Sequence, residues 1–159
     1  MKAAVLTVSD RVSRGEAEDT SGDTLAGLLA GDGYEVVRRV VPDEAGEIAS
    51  AIEELAGDAA VVLTTGGTGV APRDVTPEAT RSVIEREVPG IAEALRAESI
   101  AKTPHGLLSR GVAGVRAATL IVNLPGSTGG CRDGYAMLRP ALGHALSLLR
   151  DEPTHHQQT

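Results

Sequence analysis

The stretch Val61-Val62-Leu63-Thr64-Thr65-Gly66-Gly67-Thr68-Gly69 narrows the folds open to this chain more than any other. Its continuous apolar, β-branched start predicts a strand buried on both faces. The strand runs straight into a glycine turn. The chain then passes Arg73 and Asp74 to reach Thr76 and Pro77, a helix-cap residue followed by proline at a first helical position. Strand, glycine turn and helix in that order build an open α/β sheet, whose ligands bind at the carboxyl ends of the strands. Glycine leaves no Cβ between backbone N–H groups and an anion. Thr65, Gly66, Gly67, Thr68 and Gly69 therefore read as a phosphate-binding loop. It is not a P-loop, because the lysine is missing, and the G-x-G-x-x-G dinucleotide fingerprint is absent. A tight turn with no chemical role is the plain alternative.

The same alternation runs through the rest of the chain. Residues 3–8 and 34–41 read as strands, 59–65 as a third and 119–124 as the last. Between them lie a helix that starts near Ser21 and closes at Gly31 and Gly33, and helices over 47–56, 77–87 and 91–100. Pro89 and Gly90 read as a break, and residues 102–118 as a loop holding one short strand or hairpin. A last helix covers about 131–150, and residues 151–159 form a polar, mobile tail. The prediction is one α/β domain over residues 1–150, a three-layer sandwich around a mostly parallel, Rossmann-like sheet.

A chain of 159 residues suits a single core. Its only aromatic residues are Tyr34 and Tyr135, so a site that stacks bases on rings is disfavoured and the core must be aliphatic. A small aliphatic core also suits subunit contacts. The net charge of −7 argues against nucleic acid as a partner. Cys131 is alone, which excludes an intrachain disulfide and a cysteine metal cluster. No run is long enough to span a bilayer, and Met1 leads directly into a strand without a cleavable signal segment; a cytoplasmic protein is expected.

In a parallel sheet the strand ends share one edge. That edge should collect Ser9 and Asp10, then Asp43 and Glu44, then the glycine loop with Arg73 and Asp74, and finally Asn123 with the Pro125-Gly126-Ser127 turn. Backbone amides attract phosphate whereas carboxylates repel it. Carboxylates beside a phosphate loop therefore call for a divalent cation between them, most simply Mg²⁺. The chemistry this predicts is phosphoryl or nucleotidyl transfer. Structural readings stay open beside the functional ones. Asp43 suits a helix N-cap, Asp74 a turn, Ser9 a loop cap, and Asp10 an ion pair with Arg11, Arg14 or Arg73. His105, His144, His155 and His156 read as structural or solvated, and Glu16, Glu18 and Asp19 as a solvated loop. Cys131 at a helix start either has a lowered pKa or is simply a small packed side chain.

With these residues assembled, the chain resembles the molybdopterin adenylyltransferase family, which includes the Mog and MoaB proteins and the Cnx1 and gephyrin G domains. The matching segments are Leu6-Thr7-Val8-Ser9-Asp10, Val41-Pro42-Asp43-Glu44, Thr65 to Gly69, Pro72 to Thr80, Leu108-Ser109-Arg110, Gly114-Val115-Arg116 and Asn123-Leu124-Pro125-Gly126. They cover nearly the whole chain up to about Arg150. Ser127-Thr128-Gly129-Gly130 stands where gephyrin-like members carry Asn-Pro, and is closer to MoaB-like members. The resemblance implies transfer of AMP from Mg-ATP to the terminal phosphate of molybdopterin, with release of pyrophosphate. It implies a homotrimer and delivery of the product to a MoeA-type molybdenum insertase. It matches Asp43 and Asp74 to the family's two essential aspartates, as catalytic and metal-holding residues. It also implies ligand contacts at Ser9, Asp10, the glycine loop, Arg73, Ser109, Asn123 and the Pro125-Gly126-Ser127 turn. A molybdopterin carrier that does not catalyse is the alternative, as is a nucleotide-binding domain of other purpose.

Overall fold

A computed structural model describes residues 1–152, and the last seven residues, with His155 and His156, lie outside the described part. The strands are β1 (Lys2–Val8), β2 (Glu35–Val41), β3 (Val61–Thr65), β4 (Arg86–Glu87), β5 (Ala113–Arg116) and β6 (Thr119–Leu124). They form one sheet in the order β2-β1-β3-β6-β5-β4. β2, β1, β3 and β6 run parallel, and β5 and β4 complete the far edge antiparallel. The helices are α1 (Asp10–Ser13), α2 (Thr20–Gly31), α3 (Ala45–Ala56), α4 (Thr76–Val83), α5 (Pro89–Lys102) and α6 (Thr128–Leu149), with a 3₁₀ helix over Pro104–Leu108.

The period-two geometry of the strands splits their side chains between two cores. Ala3, Val5, Val61, Leu63, Leu120 and Val122 pack with Leu25 and Leu29 of α2 and with Leu138, Leu142 and Leu146 of α6. Ala4, Leu6, Val62 and Ile121 pack on the other face, against Ile48 and Ile52 of α3 and Val83 of α4. These are the three layers expected from the continuous apolar strands. The one buried aromatic ring, Tyr135, donates its hydroxyl to Asp32 at 2.6 Å.

Several boundaries differ from the sequence reading. The helix expected over 77–87 stops at Val83, where Ile84 turns extended and the Glu85 N–H bonds the Val115 carbonyl; β4 follows. Pairing with β5 outweighs helix propensity in this β-branched stretch. Pro89 and Gly90 do not break a helix but open α5, with proline at the first turn, where its missing N–H costs nothing. α6 starts at Thr128, ahead of the expected Cys131, because Ser127 caps it by accepting the Gly130 N–H at 3.0 Å. α1 and the 3₁₀ helix were not expected from periodicity, and both are too short to carry one. Residues 102–118 hold one short strand, β5, which forms a hairpin with the following β6, turned at Ala117, whose φ of 50° no turn-forming residue announces.

Candidate functional site

The edge formed by the carboxyl ends of β1, β2, β3 and β6 collects the expected residues. Gly66 leaves β3 at φ +100°, and a Cβ there would stand 2.3 Å from the Val8 carbonyl oxygen of β1. No other residue fits that approach. Gly67 follows at φ +70°, against the Thr76 hydroxyl. The second turn comes close as well, since a Cβ on Gly126 would lie 3.4 Å from Gly66 Cα. Thr65 fastens the two turns together. Its buried hydroxyl donates to the Pro125 carbonyl at 2.7 Å and lies 3.3 Å from Cys131 Sγ.

The loop's carbonyls are all taken. Thr76 Oγ1 donates to the Gly66 carbonyl at 2.9 Å, and the Thr76 N–H to that of Gly67 at 3.1 Å. The Arg110 N–H donates to the Thr68 carbonyl at 2.8 Å, and Arg110 Nε to that of Gly69 at 2.8 Å. By contrast the N–H groups of Gly67, Thr68 and Gly69 have no acceptor among the described residues. Carbonyls turned away and successive N–H groups left free make a concavity for an anion. Thr76 was expected as the α4 cap. It instead begins the helix, behind an uncapped Val75, and its hydroxyl serves the loop.

The acidic residues surround this loop in two arrangements. Asp10 and Asp43 clasp each other's backbones: the Asp10 N–H donates to Asp43 Oδ2 at 2.9 Å and the Asp43 N–H to Asp10 Oδ1 at 3.0 Å. Arg73 Nε binds Asp10 Oδ2 at 2.6 Å, and its Nη2 reaches Glu44 at 3.2 Å. These bonds, Arg73's first, hold the Asp10 carboxyl down at about 2. Asp43 moves the other way. Burial raises its pKa, and the negative charges of Asp10 and Asp74 add to the rise against the pull of the Asp10 N–H and Arg73. Asp74 Oδ2 accepts the Ala71 N–H at 3.0 Å and would stand 2.9 Å from a Cβ on Gly69. Asp43 and Asp74 thus each bond one backbone N–H through Oδ2, and among the described residues Oδ1 of each has no hydrogen-bond donor. Asp43 is not the α3 cap; Glu44 occupies that position.

The single crevice expected from the sequence is divided. Ser109, Asn123, Pro125 and Ser127 line a hollow of about 270 Å³ beside α5 and α6, with Lys102 and Asp133 at its wall. Ser9, Thr65, Gly66 and Gly126 line a second hollow of about 180 Å³ beneath the start of α2. The Pro125-Gly126 turn borders both, whereas Asp10, Asp43, Gly67, Thr68, Gly69, Arg73 and Asp74 line neither. Asn123 borders the first hollow yet is only 4% exposed. Its amide donates to Thr64 and Thr80, each at 3.0 Å, and its carbonyl accepts the Val112 N–H at 3.1 Å. Ser9 caps α1 by accepting the Val12 N–H at 3.2 Å. Asp19, expected in a solvated loop, caps α2, pairs with Arg38 and receives the Thr7 hydroxyl. Burial pushes the Cys131 thiol up, opposed by its bond to Thr65, so the helix start does not activate it.

Arg110 is the residue that sequence reasoning missed as part of the site. Besides the Thr68 and Gly69 carbonyls it holds that of Asp74, through Nη2 at 2.7 Å, and it pairs with Glu78. The signals were its place in the family-matching segment Leu108-Ser109-Arg110, from which only Ser109 was carried forward, and a lone basic residue in a glycine-rich loop.

Comparison with known proteins places the chain in a family. A family model described as a probable molybdopterin binding domain matches residues 4–144. The chain is 37% identical over 150 residues to the molybdopterin adenylyltransferase of Helicobacter pylori strain J99, covering 91% of this chain and 85% of that one. It is 40% identical over 161 residues to gephyrin of Dictyostelium discoideum, covering 94% of this chain but only 22% of that longer protein. The crystal structure of the molybdopterin biosynthesis enzyme MoaB from Thermus thermophilus superposes with a TM-score of 0.88 at 48% identity, over 96% of this chain and 98% of that one. The chain belongs to the molybdopterin-binding domain family of molybdenum-cofactor biosynthesis.

Proposed function

We propose that this chain is a nucleotidyltransferase that adenylylates molybdopterin with Mg-ATP. The observation that carries the reading is the run of free N–H groups at Gly67, Thr68 and Gly69 beside two carboxylates that each keep an unbonded Oδ1. The H. pylori relative is named for this activity, although the chain spans only 22% of gephyrin's length.

In the reaction a terminal phosphate oxygen of molybdopterin attacks the α-phosphorus of ATP. The new P–O bond forms as the bond to the β-phosphate oxygen breaks, and pyrophosphate leaves with that electron pair. Two hollows that share the Pro125-Gly126 turn suit two substrates brought close to each other. The loop's N–H groups bind phosphate oxygens, and Thr65 keeps the two turns in register. Among the described residues no group of three acidic, His or Cys side chains could hold a metal alone. Mg²⁺ commonly takes one or two carboxylates and completes its shell with phosphates and water, so Asp43 and Asp74 fit it with substrate present. It would neutralise the phosphate charge that the two aspartates otherwise repel. Ser109 and Ser127 border the larger hollow as candidate substrate contacts. A homotrimer, a cytoplasmic location and a MoeA-type insertase as recipient belong to the same reading.

The test is pyrophosphate release from Mg-ATP by the purified protein, with and without molybdopterin. Release that requires molybdopterin supports the reading. Molybdopterin binding without release makes the protein a carrier and refutes it. Asp74→Asn is expected to lower the rate at least about a hundredfold, as loss of one charge-stabilising group does, while the protein stays folded. Full activity in that variant would remove Asp74 from the mechanism.

A further inference from the structure

A peptide unit is planar, so a carbonyl pinned in one direction points the next residue's N–H the opposite way. In the glycine loop, Thr76 pins the carbonyls of Gly66 and Gly67 and so directs the N–H groups of Gly67 and Thr68. The Arg110 backbone N–H pins the carbonyl of Thr68 and so directs the N–H of Gly69, and its guanidinium pins the carbonyl of Gly69 through Nε and so directs the N–H of Val70. The same guanidinium takes the Asp74 carbonyl at 2.7 Å. One guanidinium from the segment after the 3₁₀ helix thus fixes the peptide that closes the glycine loop and the backbone position of an aspartate beside it. Its remaining bond is an ion pair with Glu78 in the first turn of α4, apart from the carbonyls it holds.

We propose that Arg110 is a positioning residue for phosphate binding, its guanidinium acting by holding the Gly69 and Asp74 carbonyls away from the anion rather than by its charge. This rests on the reading of the loop as a phosphate cradle. Orientation by a fork has a distinct signature. A lysine keeps the charge but is a point donor on a flexible stem and cannot hold Gly69, Asp74 and Glu78 together. If charge alone mattered, Arg110→Lys would bind phosphate like the wild type. If the fork matters, it fails as Arg110→Ala does.

The experiment measures the Kd of inorganic pyrophosphate in the presence of Mg²⁺, by calorimetry, for the wild type, Arg110→Lys, Arg110→Ala and Glu78→Gln. Melting curves run alongside to establish that each variant is folded at the assay temperature. Glu78→Gln breaks the same ion pair and leaves the carbonyl bonds in place, so it controls for lost stability. The expected result is a Kd raised about tenfold or more in both Arg110 variants, the scale of one lost charge-assisted bond to the backbone, and unchanged within about twofold in Glu78→Gln. Wild-type affinity in Arg110→Lys overturns the proposal in favour of charge alone, and this comparison stands even if Arg110→Ala does not fold. An equal loss in Glu78→Gln overturns it in favour of general destabilisation. A wild type that does not bind pyrophosphate refutes the phosphate-cradle reading itself, before any variant is compared.

Discussion

Asn123→Ala separates a ligand contact from an interior tie. The side chain makes three hydrogen bonds, to the Val112 N–H at 3.1 Å and to the Thr64 and Thr80 hydroxyls at 3.0 Å each. It thereby joins β6 to β3, to α4 and to the segment that leads into β5. Three such bonds at roughly 1 kcal/mol net each, with a further 1–3 kcal/mol for a buried N–H left unpaired, would make the loss about 4–6 kcal/mol before relaxation. Rotation of the two threonine hydroxyls toward other acceptors recovers part of this, so about 3–5 kcal/mol is the expected destabilisation. For a domain of this size that is a fall in Tm of roughly 6–20 °C. The assay is thermal unfolding by circular dichroism, paired with turnover measured well below the transition. The expected outcome is a large fall in Tm, with turnover of the folded protein reduced far less than in Asp74→Asn. A variant that melts within about 3 °C of the wild type and yet loses turnover would refute the argument, because 3 °C corresponds to only about 1 kcal/mol. Asn123 would then be a ligand contact.

Gly66→Ala would place a Cβ 2.3 Å from the Val8 carbonyl at φ +100°. The left-handed backbone costs about 1–2 kcal/mol and the clash about 1–3 kcal/mol more, so Tm should fall by several degrees; an unchanged Tm would mean the turn relaxes freely. The aspartates predict opposite responses to pH. Asp10 is held at about 2, below its ordinary value of 3.8, so the stability it contributes is complete above 3.8 and is lost as pH falls toward 2. Asp10→Asn should therefore flatten the acid limb of a Tm–pH curve. Asp43 has a raised pKa, so its ionised form destabilises the fold at neutral pH and the penalty lifts on protonation. Asp43→Asn should raise Tm at pH 7, and a fall in Tm there would contradict the assigned direction.

The architecture was legible because the strands announce themselves. A sheet covered on both faces needs strands apolar at every position, and residues 61–65 and 119–124 come close to that pattern and are buried throughout. The convergence of Asp10, Asp43, Gly66 and Gly126 followed from placing strand ends on one edge. Hydrogen-bond direction was not legible. Thr76 looks like a cap from its position before Pro77, and only the loop's path across β1 makes Gly66 its acceptor. Arg110 is remote in sequence from the residues it holds, and its segment has no period to place it. Asn123 borders the same hollow as Pro125 and Ser127, but the strand's pleat turns its amide inward between Thr64 and Thr80. Asp19 looked solvated because nothing in the sequence links it to Arg38 on β2.

The charge pattern around the loop is uneven in an informative way. Arg73 is the basic residue nearest the acidic cluster, yet its guanidinium bonds Asp10 and Glu44, not Asp43 or Asp74. The second basic group, Arg110, bonds carbonyls and Glu78. Both cations are therefore engaged in holding structure. The two aspartates beside the free N–H groups have no cation bonded to their carboxylates, and burial, with the charges of Asp10 and Asp74 behind it, raises the pKa of Asp43. Left alone, this pair would oppose the anion that the loop attracts. A phosphate that arrives with a divalent cation removes the conflict, because the cation meets the carboxylates while the oxygens meet the amides. On the proposed reading the loop and the aspartates together suit a metal-bound phosphate better than either component alone, which is the physical argument for a functional role of Asp43 and Asp74.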